Sequence, residues 1–184
     1  MYDLYTRNSL HKSSTVFPDV DLNIKKAMLS KYKLNASFVL SSGRSTDHYF
    51  DIKSLLLDNT DWSIIKDILI KDLKSKFPGV VYVAGSGVGG ILFAMRIASC
   101  LEFNISPIIV RDSMKTYGLL KQVEGKYFHG SPRTVIVDDV VTTGNSFIKV
   151  KKILRGVGIK VLGNYAFLKR KESNFKCESF ISEW

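Results

Sequence analysis

The chain has 184 residues, 45% hydrophobic and 24% charged, with a formal net charge of +10. That length and mixture suit one domain with a real core and exclude a disordered chain. No apolar run reaches the roughly 18 residues of a membrane span, no apolar leader follows Met1, and two cysteines, Cys100 and Cys177, argue against a disulfide framework, so a cytoplasmic protein without a membrane partner is expected.

The elements follow in chain order. Residues 1–20 are the least patterned and are expected to form a loosely packed extension, with residues 21–184 as a single domain. Asp21 reads as the N-cap of a helix to about Tyr32, with Ile24, Ala27 and Met28 at helical spacing. Phe38–Leu40 reads as a strand, Ser41–Asp47 as a turn and His48–Lys53 as a returning strand, a hairpin-like element. Thr60 or Asp61 can cap the next helix, whose Ile65, Ile68, Leu69 and Leu73 share one face.

From Pro78 the texture changes. Val80–Ala84 is an uninterrupted apolar run that ends in the glycine-rich turn Gly85–Gly90, and a helix follows from Ile91 to about Leu101. Pro107–Val110 is a second run, residues 112–131 read as a long loop, and Thr134–Val137 is a third run. Beyond Gly144, the spacing of Val150, Ile153, Leu154 and Val157 predicts a helix that Gly158 ends. Lys160–Phe167 is a fourth strand. Unbroken apolar strands alternating with helices predict an α/β fold with a largely parallel central sheet flanked by helices. Ligands in such sheets bind at the carboxyl ends of the strands, and segments 85–90, 111–126 and 138–146 lie there.

The stretch Asp138-Asp139-Val140-Val141-Thr142-Thr143-Gly144-Asn145-Ser146 is the most informative. Two carboxylates close a buried run and need a positive or hydroxyl-rich partner. The turn after them opens a helix, where backbone N–H groups and the helix dipole favour a phosphate, and Gly144 lets the backbone come close. An ordinary acidic turn with a Ser/Thr cap would not need this whole constellation. A P-loop is excluded because the Gly-Lys-Ser/Thr ending is missing.

These residues resemble the phosphoribosyl pyrophosphate (PRPP) signature of the type I phosphoribosyltransferases. The resemblance implies that Asp138 and Asp139 lie by the ribose hydroxyls and that Thr142, Thr143, Gly144, Asn145 and Ser146 hold the 5-phosphate. Three further segments are similar to orotate phosphoribosyltransferase. Phe38–Arg44 continuing to Tyr49–Lys53 looks like its N-terminal element, which with the C-terminal segment makes a small hood (about 34–57), and its base lies near the equivalents of Tyr49 and Phe50. Arg111–Gly118, closing at Glu124-Gly125, looks like its mobile catalytic loop. Phe167–Glu172 carries Arg170 at the position of an arginine that contacts the orotate carboxylate. Tyr49 and Phe50 equally suit a strand's core, while for Arg170 and Lys115 a solvated surface is the lesser alternative.

The resemblance implies transfer of the phosphoribosyl group from PRPP to orotate, giving orotidine 5′-monophosphate and pyrophosphate. It implies Mg²⁺ brought by PRPP with no direct protein ligand set, though water-mediated contact to Asp138 or Asp139 is expected. Arg111 and Lys115 would meet the pyrophosphate, Gly87 and Gly89 would cradle it, and loop 111–126 would reach the partner subunit of a homodimer. Several cations common in the family are replaced: Asp112, Tyr117, Ser41 and Gly89 stand where lysines or a histidine often lie. Compensation by lysines elsewhere, such as Lys53, Lys121 or Lys126, is left open by the sequence. Two alternatives stay open: transfer to another base, and a PRPP-sensing regulator that binds nucleic acid. The +10 charge motivates the second, but its scatter along helix faces argues against a nucleic-acid partner.

Overall fold

The computed structural model describes residues 18–39, 43, 45–112, 122–126 and 133–183. Helix α1 (Pro18–Lys31) leads into an antiparallel hairpin of β1 (Lys33–Val39) and β2 (Ser45–Phe50). Helices α2 (Ile52–Leu57) and α3 (Asn59–Lys76) follow. The remainder alternates: β3 (Tyr82–Ser86), α4 (Gly87–Ala98), β4 (Ser106–Val110), β5 (Val123–Glu124), β6 (Thr134–Val141), α5 (Asn145–Gly156), β7 (Val161–Lys169) and β8 (Glu178–Ser182). One six-stranded sheet runs β5-β4-β3-β6-β7-β8, in which β5 pairs antiparallel and the other neighbours pair parallel.

The sheet divides the core by strand alternation. Val83, Val135, Val137, Tyr165 and Phe167 face one layer, where α2, α3 and α4 bring Leu55, Ile65, Leu69 and Phe93. Ala84, Ile108, Ile136 and Ala166 face the other, where α5 brings Phe147, Val150 and Leu154. Each fully buried side chain of this kind contributes about 1.5–3 kcal/mol, and both faces being covered explains why the strands read as continuous apolar runs. Helix α1 is fastened to α3 by Asp61, which accepts from Lys31 at 2.6 Å and from the Tyr32 hydroxyl. Those two hydrogen bonds, against the opposing effect of burial, hold the Asp61 carboxyl below its ordinary pKa.

The fold matches the expected α/β architecture, with corrections at the edges of elements. Helix α1 starts at Pro18, so Asp21 lies inside it rather than capping it. The returning strand stops at Phe50, because Asp51 accepts from the Ser54 N–H and starts α2. Asp58 caps α3, not Thr60 or Asp61, by accepting from both of their N–H groups. Helix α4 begins at Gly87 rather than Ile91, and β6 continues through both aspartates to Val141. Residues 1–17 of the expected extension lie outside the described residues.

Candidate active site

Strand β6 places the acids. Four buried residues, Thr134–Val137, anchor it beside β3 and β7, and the pairing with β7 holds on past Asp138 (opposite Ala166) to Val141 (opposite Lys169). The strand therefore carries Asp138 and Asp139 side by side, and both line one cavity. Asp138 accepts from the Ser146 hydroxyl at 2.5 Å, which ties the strand to the first turn of α5. Burial, then the nearby charge of Asp139, pushes the Asp138 carboxyl up to about 7, and the Ser146 bond only partly offsets this. Asp139 accepts from the Val140 N–H at 2.9 Å and faces the Lys53 ammonium at 3.3 Å.

The chain beyond β6 turns through Thr142–Gly144 into α5. Gly144 has φ +78°, and a Cβ there would lie 2.1 Å from the Phe175 ring. A left-handed turn packed under an aromatic ring demands this glycine. Phe175 stacks on Phe147 of α5, centroids 5.4 Å apart and planes 8° from parallel.

Opposite lies the start of α4. Gly87 takes φ +62° with open space where a Cβ would stand. At Gly89 a Cβ would sit 2.2 Å from the Asp139 carboxyl carbon, so the Asp139 side chain occupies the room that this glycine leaves. Neither α4 nor α5 has a side-chain N-cap hydrogen bond. Their uncapped N-termini open on one cavity of about 540 Å³, which Asp138, Asp139 and Thr142–Ser146 also line. Uncapped first-turn N–H groups from two helices, with the positive ends of both dipoles, form a setting for phosphate groups.

A second cavity of about 250 Å³ shares Lys53, Asp139, Val140 and Thr142 with the first and continues to Tyr49, Phe50 and Arg170. Arg170 is buried, not a solvated surface residue. Its guanidinium lies 5.3 Å over the Phe50 ring. Nε is 2.7 Å from Glu183 and 3.3 Å from Glu172, off the N–H direction, so these are ion pairs rather than aligned hydrogen bonds. Its terminal nitrogen reaches Thr46 Oγ1 at 3.3 Å and His48 Nε2 at 3.2 Å. His48 in turn touches Asp47 at 2.6 Å and Glu183 at 2.7 Å. Burial alone would raise the Glu183 carboxyl, but His48, the Lys171 N–H and Arg170 together hold it low.

Of the residues singled out from the sequence, the described structure gathers Tyr49, Phe50, Gly87, Gly89, Asp138, Asp139, Thr142–Ser146 and Arg170 around two adjoining cavities. Arg111 lies apart from their lining and is held by Glu124, Nε to Oε1 2.7 Å. Lys115 falls outside the described residues. The candidate set had no place for His48 and Glu183, which brace Arg170 from 122 and 13 positions away; nothing local in the sequence links them.

Residues 61–179 match the phosphoribosyl transferase domain family. The orotate phosphoribosyltransferase of Pyrococcus abyssi is 34% identical over 148 residues, which cover 78% of this chain and 79% of that protein. The crystal structure of orotate phosphoribosyltransferase from Aeropyrum pernix superposes with a TM-score of 0.69 at 30% identity, covering 86% of this chain and 93% of that one. A Mycobacterium tuberculosis orotate phosphoribosyltransferase in complex with PRPP shares the fold, with a TM-score of 0.67 at 20% identity over 88% of this chain and 95% of that one.

Proposed function

The chain belongs to the phosphoribosyl transferase domain family, among its orotate phosphoribosyltransferases, and we propose how its two cavities carry that reaction. The enzyme transfers the phosphoribosyl group from PRPP to orotate in pyrimidine nucleotide synthesis. In our reading the 5-phosphate docks on the Thr142–Ser146 turn and the N-terminus of α5. Asp138 and Asp139 hold the ribose hydroxyls. The pyrophosphate lies along Gly87–Gly89 at the start of α4. Orotate lies in the smaller cavity against the backbone at Tyr49 and Phe50, with its carboxylate towards Arg170.

One observation carries this reading. The uncapped starts of α4 and α5 flank the paired acids on one cavity, and that cavity runs directly into an aromatic pocket holding a buried arginine. Positive charge that builds on the anomeric carbon faces the acids, and the amide dipoles face the phosphates. Rate enhancement would come from positioning and fixed electrostatics. Arg111, freed from Glu124, and Lys115 would act on the pyrophosphate when loop 111–126 closes.

Magnesium suits this lining, since a hard cation takes carboxylate and phosphate oxygens. In this reading the ion arrives with PRPP and meets Asp138 or Asp139 through water. Its chemistry there would be neutralisation of phosphate charge.

We further infer a homodimer in the cytoplasm. Exposed Leu57, Ile64, Met95 and Leu101 supply apolar surface for an interface. Cys100 and Cys177 are both free thiols, as a reducing compartment requires. Among the described residues no helix is long and apolar enough to cross a membrane.

Incubating the protein with PRPP, Mg²⁺ and one base at a time tests the base assignment. Loss of orotate absorbance with equimolar pyrophosphate is expected. Turnover of adenine or uracil in preference to orotate would refute it.

A further inference from the structure

We propose that Lys53 is a further catalytic residue, whose ammonium binds the pyrophosphate of PRPP as it leaves; the inference rests on the phosphoribosyl-transfer reading above. Among the described residues lining the larger cavity, Lys53 carries the one positive side chain, against the carboxylates of Asp112, Asp138 and Asp139. A substrate with two phosphate-bearing ends needs more cationic contact than two helix starts provide. Lys149, which reaches towards this region, is engaged with Asp112 at 2.9 Å.

Position then decides which end of the substrate Lys53 meets. Asp51 caps α2 and so sets Lys53 in its first turn, on the cavity side. The ammonium lies 3.1 Å from the Tyr49 hydroxyl and 3.3 Å from Asp139 Oδ2. Asp139 in turn packs into the space left by Gly89, within the turn assigned to pyrophosphate. The 5-phosphate turn Thr142–Ser146 is served by the uncapped start of α5, and the base pocket already holds Arg170 for a carboxylate. Lys53 lines both cavities, so it stands at their junction, where the bond to pyrophosphate breaks.

The contact to Asp139 is long and half-exposed, so exchanging it costs little. On PRPP binding, Lys53 turns from Asp139 to the pyrophosphate, and Asp139 becomes free for the ribose. The bond between the anomeric carbon and the pyrophosphate oxygen breaks with its electron pair on that oxygen, beside the ammonium. The base nitrogen's pair forms the new bond, and the proton on that nitrogen passes to water. Lys53 keeps its own proton throughout. Burial would lower its pKa, but the Tyr49 hydrogen bond and the charge of Asp139 outweigh this and raise it. This lysine stands in for cations that Ser41 and Gly89 do not supply.

The test compares wild type with Lys53→Met and Lys53→Arg, reading orotate turnover and, by calorimetry, the affinities of magnesium pyrophosphate and of ribose 5-phosphate. We expect Lys53→Met to lower kcat about 100-fold, the scale of losing one preorganised donor at developing charge. Pyrophosphate affinity should fall about tenfold while ribose 5-phosphate affinity stays within about twofold, and Lys53→Arg should restore part of both losses. A kcat and pyrophosphate affinity for Lys53→Met near those of wild type would overturn the proposal. So would an equal loss of ribose 5-phosphate affinity, which marks a general structural role. If wild type consumes no orotate yet binds pyrophosphate in a Lys53-dependent way, the base assignment falls and the role of Lys53 stands.

Discussion

Replacing Asp138 with Asn separates the stability of the empty site from its chemistry. The Asp138 carboxyl is moved from its ordinary 3.8 to about 7 by burial and by Asp139. A carboxyl whose folded pKa exceeds its unfolded value holds its proton longer in the folded state. It therefore erodes stability as pH rises from about 4 to 7, and not below that window. At about 1.4 kcal/mol per pH unit the gap corresponds to ~4 kcal/mol. The cavity admits water, and screening brings the expected effect nearer ~2 kcal/mol. Asn keeps the shape and can still accept from Ser146. Urea unfolding followed from pH 4.5 to 8.5 should show the two proteins equally stable at the acid end. The variant should gain about 2 kcal/mol by pH 8, with the gap flat above about 7.5. The same variant should lose most PRPP turnover, because the site needs the charge that the fold resists. Parallel stability curves, or a variant less stable at pH 8, would refute the reasoning.

Three further outcomes follow from the geometry. Gly89→Ala puts a Cβ 2.2 Å from the Asp139 carboxyl carbon. Turnover should fall about 100-fold from displacement of that acid by an ångström or so, with a melting temperature close to wild type because alanine suits a helix; unchanged kinetics would show that Asp139 is not the group at work. Arg170→Lys keeps the charge but loses the planar fork, so KM for orotate should rise about tenfold with KM for PRPP little changed. An unaltered orotate KM would remove Arg170 from the base pocket's chemistry. Phe175→Ala removes the ring stacked on Phe147 and packed over Gly144. Urea melts should show a loss of about 2 kcal/mol for this half-buried ring, and steady-state kinetics a raised KM for PRPP; an unchanged PRPP KM would show that Phe175 does not hold the phosphate turn.

The central sheet was legible in the sequence because β3, β6 and the second half of β7 are buried on both faces and, with the short run of β4, read as unbroken apolar runs. The site was legible because two aspartates beside such a run are conspicuous. Charge at a run's end was misleading about length, however. Strand β6 continues through Asp138 and Asp139 because the cavity solvates one face while pairing with β7 persists. The start of α4 was hidden because Gly87, Gly89 and Gly90 look like a turn; Gly87 takes a left-handed φ with open space beside it, while Gly89 and Gly90 are helical residues kept small by Asp139 and by Val137 and Asp138. Strand β1 is almost wholly exposed and carries little periodic signal, and β5 spans only Val123–Glu124. Strand β8 is a short edge strand reached through residues 170–177 without a helix, which the usual length of parallel crossovers does not suggest. The clamp on Arg170 joins His48, Glu172 and Glu183, a tertiary arrangement that no local pattern encodes.

A crystal of the protein soaked with PRPP would test the phosphorylated-pentose pocket most directly. Density is expected for the 5-phosphate within hydrogen-bond distance of the backbone N–H groups in Thr143–Ser146, for ribose hydroxyls against Asp138 and Asp139, and for pyrophosphate along Gly87–Gly89. A ligand bound elsewhere, or a phosphate held only by side chains outside this cavity, would contradict it.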